Sequence, residues 1–337
     1  MSIRILNGDC RDVLKALPDE SVHCVVTSPP YWGLRDYGVA GQLGLEQTPD
    51  DFVACMVEVF REARRALRKD GTLWLNLGDS YQNAKGQAHG VDPKQPARRH
   101  GLRPQDVSIE GLKPKDLVGI PWMVAFALRA DGWWLRSDII WHKTNPMPES
   151  VTDRPTKAHE YLFLLTKADR YHYDAEAILE PASPNTHARL SQNVAAQVGS
   201  ARANGDAKTN GNMKAVMRGS GKYAAADAND RAGSSFKDAA VLHVTHRNKR
   251  TVWSTRTEAF TEAHFATFPP ALIEPCILAG CPKGGTVLDP FGGAGTTGLV
   301  ADRLGRNAIL IELNPEYAAM AERRIRRDAG MFAEVQT

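Results

Sequence analysis

The chain has 337 residues, 42% of them hydrophobic and 24% charged, a soluble globular composition with room for one large domain and a lesser one. No apolar run approaches the roughly 18 residues of a membrane-spanning helix, and the opening Met-Ser-Ile-Arg-Ile-Leu-Asn-Gly-Asp lacks the zones of a secretory leader, so a cytoplasmic protein is expected. The net charge of +3 hides 11 Lys/Arg against 4 Asp/Glu over residues 185–250 and 7 against 3 over 85–115, a concentration that fits either a polyanionic partner or a solvated basic loop.

Residues 3–6 read as a short strand, which Asn7-Gly8-Asp9 turns into a helix with Val13, Leu14 and Leu17 on one face. Residues 22–27 form the next strand. It runs into Ser28-Pro-Pro-Tyr31 and stops there, because proline cannot donate to a sheet. Ser28 and Tyr31 are thereby delivered into a rigid loop at the carboxyl end of a strand, where open α/β sheets bind their ligands. A hydroxyl, the Pro29 carbonyl and two aromatic faces can accept hydrogen bonds from an amine while a flat ring stacks beside it. An ordinary proline-terminated strand with aromatics packed beneath it is the plainer alternative.

After Pro49 and Asp50, the residues Val53, Met56, Val57, Phe60, Ala63 and Leu67 recur at helical spacing, with Asp70-Gly71 expected to end the helix. Residues 72–77 then read as a buried strand. Residues 81–113 lose periodicity and gain Gly, Pro, Gln and basic residues, the marks of a long surface loop. A helix is expected to resume from Pro114, with Pro121 in its first turn and Val124 and Leu128 inward. Residues 135–141 and 161–166 follow as apolar strands, separated by a second proline-rich exit, Lys143-Thr-Asn-Pro-Met-Pro.

From 185 to 236 the composition leaves no aliphatic cluster able to build a core, so no element is assigned there. Order returns near Val252 and Trp253. Phe268-Pro-Pro opens a helix, 286–288 is a strand, 296–304 a helix, 307–311 a strand, and 315–327 a last helix with Pro315 in its first turn. This alternation at both ends of the chain predicts a doubly wound, mostly parallel sheet of the α/β class. Cys10, Cys24, Cys55, Cys276 and Cys281 form no C-x-x-C pair and sit mostly in apolar segments, so buried thiols are expected, with neither disulfides nor a structural metal.

The second motif is Asp289-Pro-Phe-Gly-Gly-Ala-Gly-Thr-Thr-Gly298, placed between a strand and a helix. Gly293, Gly295 and Gly298 satisfy G-x-G-x-x-G, and Glu312 ends the next strand, so this is a nucleoside-binding unit in its structural context. The glycines let the backbone approach a ligand, the helix N-terminus offers free amides, and the Glu312 carboxylate can hold two ribose hydroxyls. A helix-start loop that needs glycine for packing is the alternative. NAD and S-adenosylmethionine both fit the unit. Fewer than forty residues follow Gly298, so the N-terminal strands must complete the sheet and the two motifs become neighbours at one switch point. Asp289 would repel a dinucleotide's phosphates and welcome an α-amino group, which favours the cofactor without phosphates.

Val25-Val-Thr-Ser-Pro-Pro-Tyr, together with Asp289-Pro-Phe-Gly-Gly-Ala-Gly-Thr-Thr, resembles the DNA amino-methyltransferases, in the permuted group whose catalytic motif precedes the cofactor motif. Ile140-Trp-His-Lys-Thr-Asn-Pro-Met-Pro and His159-Glu-Tyr-Leu-Phe-Leu-Leu-Thr-Lys also look like segments of these enzymes. The resemblance implies a Rossmann-like S-adenosylmethionine-dependent methyltransferase fold. Residues 1–174, with the loop 81–113, would be its catalytic half and 251–337 its cofactor half. Residues 175–250 would be a variable target-recognition insertion, partly disordered without DNA.

By the same resemblance Ser28, Pro29, Pro30 and Tyr31 would be catalytic, acting on a base flipped out of double-stranded DNA. Asp289, Pro290, Phe291, Gly293, Gly295, Thr296 and Glu312 would hold S-adenosylmethionine, with Asp9 near its adenine and Phe268 closing over its methionine end; no residue would bind a metal. A cytosine-C5 enzyme would need a cysteine where Ser28 stands. Thr-Ser-Pro-Pro-Tyr is the pattern typical of site-specific cytosine-N4 enzymes, whereas adenine-N6 enzymes, the alternative, usually carry Asp at that position. An inactive DNA-binding regulator and a nicotinamide oxidoreductase are the readings from other classes. The family implies a bacterial or phage-encoded protein, with a separately encoded restriction endonuclease as a partner.

Overall fold

In the computed structural model, which describes residues 1–34, 36–83, 104–182, 246–258, 267–329 and 334–336, β1 (Ser2–Asn7) leads through Asn7 and Gly8 into α1 (Cys10–Ala16), capped by the Asp9 carboxylate. β2 (Val22–Thr27) ends at the proline loop. The helix α2 (Pro49–Ala66) starts from Thr48, whose hydroxyl caps the amide of Asp51. It is followed by β3 (Leu67–Leu77), α3 (Ile120–Ala130), β4 (Trp134–Lys143) and β5 (His159–Thr166). Two short strands, β6 (Glu180–Pro181) and β7 (His246–Arg247), pair with each other. Then come β8 (Val252–Thr255), α4 (Pro270–Gly280), β9 (Thr286–Asp289), α5 (Thr296–Arg303), β10 (Asn307–Glu312), α6 (Pro315–Ala329) and β11 (Glu334–Gln336).

Among the described residues the main sheet has nine strands in the order β11-β1-β10-β9-β2-β3-β5-β4-β8. All its pairings are parallel except those of β5, which runs antiparallel to both β3 and β4. Helices from the first half of the chain cover one face with Leu14, Phe52, Met56, Phe60 and Leu128. Those from the second half cover the other with Leu272, Ile273, Cys276 and Ile325. The strands between them alternate: in β2, Val22 and Val25 join the first core, and Cys24 and Val26 the second. A strand buried on both faces must be apolar along its buried length, which is why Cys24–Val26 of β2 and Ala308–Ile311 of β10 read as hydrophobic runs. The doubly wound expectation holds, and β9 and β2 lie side by side.

Two expected boundaries move. The helix α2 stops at Ala66, and Asp70-Gly71 lies inside β3: Leu67 pairs with Val22, and the register slips before Cys24 meets Thr72. The extra residues bulge from the ladder, a feature that helical periodicity does not reveal. The helix α3 begins at Ile120 and not near Pro114, because Gly119 is left-handed (φ 88°) and the Asp79 carboxylate caps the helix from the end of β3. Of the expected loop 81–113, residues 84–103 lie outside the described residues. The ends of that stretch pair with neighbours: Asn83 with Gln105, and Gln82 with Asp116 and Lys115.

None of the five cysteines forms a disulfide, and four of them are buried. No helix among the described residues is long and apolar enough to cross a membrane. The chain divides into two compact units, Met1–Ile178 with Arg250–Thr337, and Leu179–Lys249. Of the second unit residues 179–182 and 246–249 are described, and they hold the β6–β7 pair, tied by an Arg247–Glu180 ion pair at 2.8 Å. The segment 185–236, left unassigned from sequence, lies outside the described residues.

Candidate active site

Both motifs end at the carboxyl edge of the sheet, and side-chain bonds fasten them there. Asp289, the last residue of β9, is buried; its Oδ1 accepts from Thr27 Oγ1 at 2.6 Å and from the Phe291 amide at 3.0 Å, and its Oδ2 from Thr297 Oγ1 at 2.6 Å. One carboxylate therefore joins the end of β2, the turn after β9 and the first turn of α5. Burial nonetheless dominates its titration and pushes the carboxyl up to about 6.

Beside it the glycine loop opens a cavity of about 610 Å³. Glu312, at the end of β10, accepts from the Gly293 amide at 2.7 Å and from the Asn314 amide at 2.9 Å, which leaves lone pairs for a ligand. Burial raises its pKa. Gly293 has φ 49°, and a Cβ there would have no atom nearer than 3.9 Å, so its open side belongs to the cavity. Gly295 (φ 76°) differs: a Cβ there would lie 2.8 Å from that of Ala321. It serves the packing of α5 on α6, and it does not line the cavity.

The other half of the same cavity is built on the ends of β2, β3, β4 and β5. Tyr31 leans its ring on Gly78, where a Cβ would stand 2.4 Å from the ring edge. Its hydroxyl donates to Glu160 Oε2 at 2.6 Å and lies 3.2 Å from Asn76 Oδ1; the Ser28 hydroxyl lies 3.5 Å away. Glu160 is paired in turn with the Lys143 ammonium, which sits 4.7 Å above the Trp141 ring. Burial, followed by the Glu160 charge, pushes the Tyr31 phenol well above its ordinary value. Lys157 also lines this half; its buried ammonium makes no hydrogen bond, and burial lowers its pKa.

The structure thus gathers Ser28, Pro29, Pro30, Tyr31, Asp9, Phe268, Asp289, Pro290, Phe291, Gly293, Thr296 and Glu312 around one cavity, and leaves Gly295 behind it. The Asp9 carboxylate is held by Arg11, at 3.0 Å from its Nε, and lies below the usual carboxylate range for that reason. Asn76, Asp79, Lys143, Lys157 and Glu160 are cavity residues that the sequence reading did not place in the site. A signal for two of them existed, since Lys143 and Glu160 stand inside the two segments that resemble this family. Among the described residues no cluster of ligating side chains could hold a metal ion.

A family profile described as "DNA methylase" matches residues 22–323. The Type II methyltransferase M.SmaI of Serratia marcescens is 44% identical over 326 residues, covering 97% of this chain and 91% of that protein. The Type II methyltransferase M.Cfr9I of Citrobacter freundii is 44% identical over 321 residues, covering 95% and 87%. Among solved structures, a putative DNA modification methylase of Thermus thermophilus complexed with S-adenosyl-L-methionine superposes with a TM-score of 0.55 at 24% identity, covering 99% of this chain and 100% of that one. The PvuII DNA methyltransferase, described as cytosine-N4-specific, does so with a TM-score of 0.57 at 17% identity, covering 100% and 95%. The fold and the edge-of-sheet site define an S-adenosylmethionine-dependent methyltransferase, and the chain belongs to the DNA methylase family that modifies amino groups.

Proposed function

We propose that this DNA methylase transfers the methyl group of S-adenosylmethionine to the N4 amine of a cytosine flipped out of double-stranded DNA. The observation that carries the reading is the Ser28 hydroxyl, set between the proline loop and Tyr31 in one cavity with the glycine loop. When bound, S-adenosylmethionine supplies an electrophilic methyl group on a sulfonium. The cofactor half fits it: Gly293 leaves open space, Glu312 keeps lone pairs for ribose hydroxyls, and the Phe291 and Phe268 rings offer faces to a flat base and a cation. Asp289 acts by fixing the loop, and its negative charge favours a ligand's cationic end.

In the target half, Ser28 Oγ and the Pro29 carbonyl accept hydrogen bonds from the amine and draw its lone pair out of conjugation, toward the methyl group. Tyr31 stacks on the flipped ring. Alignment and electrostatics suffice, and no covalent nucleophile is required. Adenine N6 presents the same geometry of attack; a carboxylate at position 28 would favour it, and Ser28 is neutral. The basic stretches 85–115 and 185–250, most of which lie outside the described residues, supply phosphate contacts and the choice of sequence. The Type II names of the relatives support a separately encoded restriction endonuclease as a partner.

Tritium transfer from labelled S-adenosylmethionine into plasmid DNA tests the reading. Label is expected with the native protein and reduced at least 100-fold with Ser28→Ala. An equal rate in that variant overturns the assignment of Ser28.

A further inference from the structure

Three side chains, two on the proline loop after β2 and one on β5, form a row of hydrogen bonds with one direction. Tyr31 has a single proton, and it goes to Glu160 Oε2, the shorter contact at 2.6 Å and the charged one. Its oxygen can then only accept, so the Ser28 hydroxyl, 3.5 Å away, points its own proton at Tyr31. Both lone pairs of Ser28 Oγ are left to the cavity. Glu160 is held at the far end by the Lys143 ammonium on Oε1 and the Asn76 amide at 3.3 Å on Oε2.

We propose that Glu160, acting through Tyr31, makes Ser28 an obligate acceptor for the target amine and takes up the proton which that amine sheds. The proposal rests on the reading of Ser28 given above and assigns a role to residues that reading leaves idle. As the amine nitrogen takes the methyl group, an N–C bond forms and the C–S bond breaks, its electron pair remaining on sulfur. The nitrogen is left with one proton too many. That proton passes to Ser28 Oγ while the Ser28 proton passes to the Tyr31 oxygen and the Tyr31 proton to Glu160. The carboxylate ends as a neutral acid and releases the proton to water after the product leaves. The row gives a neutral serine the acceptor-only character that a carboxylate has by nature. Glu160 is in this sense a positioning residue, with no contact of its own to the reacting atoms.

The test compares Glu160→Gln and Tyr31→Phe with the native protein in single-turnover methylation of duplex DNA, alongside the affinities for DNA and S-adenosylmethionine. The amide introduced by Glu160→Gln still accepts a hydrogen bond from Tyr31 but takes no proton at neutral pH, and the phenyl group introduced by Tyr31→Phe keeps the stacking ring. The expected result is a methyl-transfer rate reduced at least tenfold in each variant. Affinities stay within about twofold, and the double variant is no slower than the slower single one. A Glu160→Gln rate equal to native reduces Glu160 to a holder of the Tyr31 ring and overturns the proposal, as does an unimpaired Tyr31→Phe. Nucleoside analysis of the native product separates the two readings. If the native protein modifies adenine, the cytosine assignment falls and the relay is still judged by the rate ratio; if it methylates no DNA, both fall.

Discussion

Thr27, the last residue of β2, donates a 2.6 Å hydrogen bond to Asp289, the last residue of β9, so the strand that carries the proline loop is bolted to the strand that carries the glycine loop. The bond is buried and joins positions 262 residues apart. The Asp289 carboxyl is pushed from 3.8 up to about 6. Between those values the folded chain keeps a proton that the unfolded chain has released. The contribution of Asp289 to stability therefore falls as the pH rises through that window, by about 3 kcal/mol once both states are ionised. Asp289→Asn removes this titration. The stability difference between Asp289→Asn and native protein is expected to shift toward the variant by up to that amount from pH 4 to pH 7, measured by denaturant unfolding, while affinity for S-adenosylmethionine falls at least tenfold. A difference independent of pH, with unchanged affinity, contradicts the role given to Asp289.

The glycines of the second motif separate by function. Gly295→Ala forces a methyl group against Ala321 at a left-handed position and is expected to destabilise the fold by about 2–4 kcal/mol. Gly293→Ala meets no neighbour and should lower stability by only about 1 kcal/mol, the strain of a left-handed alanine. It should nevertheless reduce cofactor affinity at least tenfold, because its methyl group projects into the cavity. Thermal melts and calorimetry on the two variants decide the matter; equal affinity losses would erase the distinction.

The sheet was legible because its signals are local and repeated. Apolar strands stopped by Pro29 or followed by Gly293, helices started by Pro121 or Pro315, and the acidic end of β10 all appear within a few residues of what they cause. The half of the cavity at the glycine loop was legible for the same reason. The other half was legible only at Ser28–Tyr31, since Glu160, Asn76 and Asp79 reach the cavity through the antiparallel β5 and the end of β3, and no spacing along the chain foretells that pairing. The helix boundaries at Ala66 and Ile120 moved for a similar reason: a bulge and a cap from Asp79, both tertiary, overrode periodicity.

Asp79 offers a separate check on that account. Its Oδ1 accepts from the amides of Gly119 and Ile120 at 3.0 and 3.1 Å, so it caps α3 from the loop just beyond β3. Asp79→Ala is expected to lower stability by about 1–2 kcal/mol, and Asp79→Asn, which still accepts, by less. Equal losses in thermal melts would mean that the carboxylate's charge, and not its capping bonds, matters there.

With the basic stretches in the proposed role of contacting phosphates, DNA affinity should depend on salt. Binding should weaken as salt rises, with a log-log slope of about −0.9 for each phosphate neutralised. Deleting residues 196–232, which lie outside the described residues, should flatten that slope and damage sequence choice while cofactor affinity stays unchanged. Fluorescence anisotropy over a salt series reads both effects, and an unaltered slope with unaltered site choice would move recognition to residues 85–115.

The most direct measurement is mass spectrometry of nucleosides from DNA incubated with the protein and S-adenosylmethionine. Transfer to a flipped cytosine, with Ser28 and the Pro29 carbonyl as the amine's acceptors, predicts N4-methylcytosine from the native protein and its loss with Ser28→Ala. N6-methyladenine without N4-methylcytosine would contradict it.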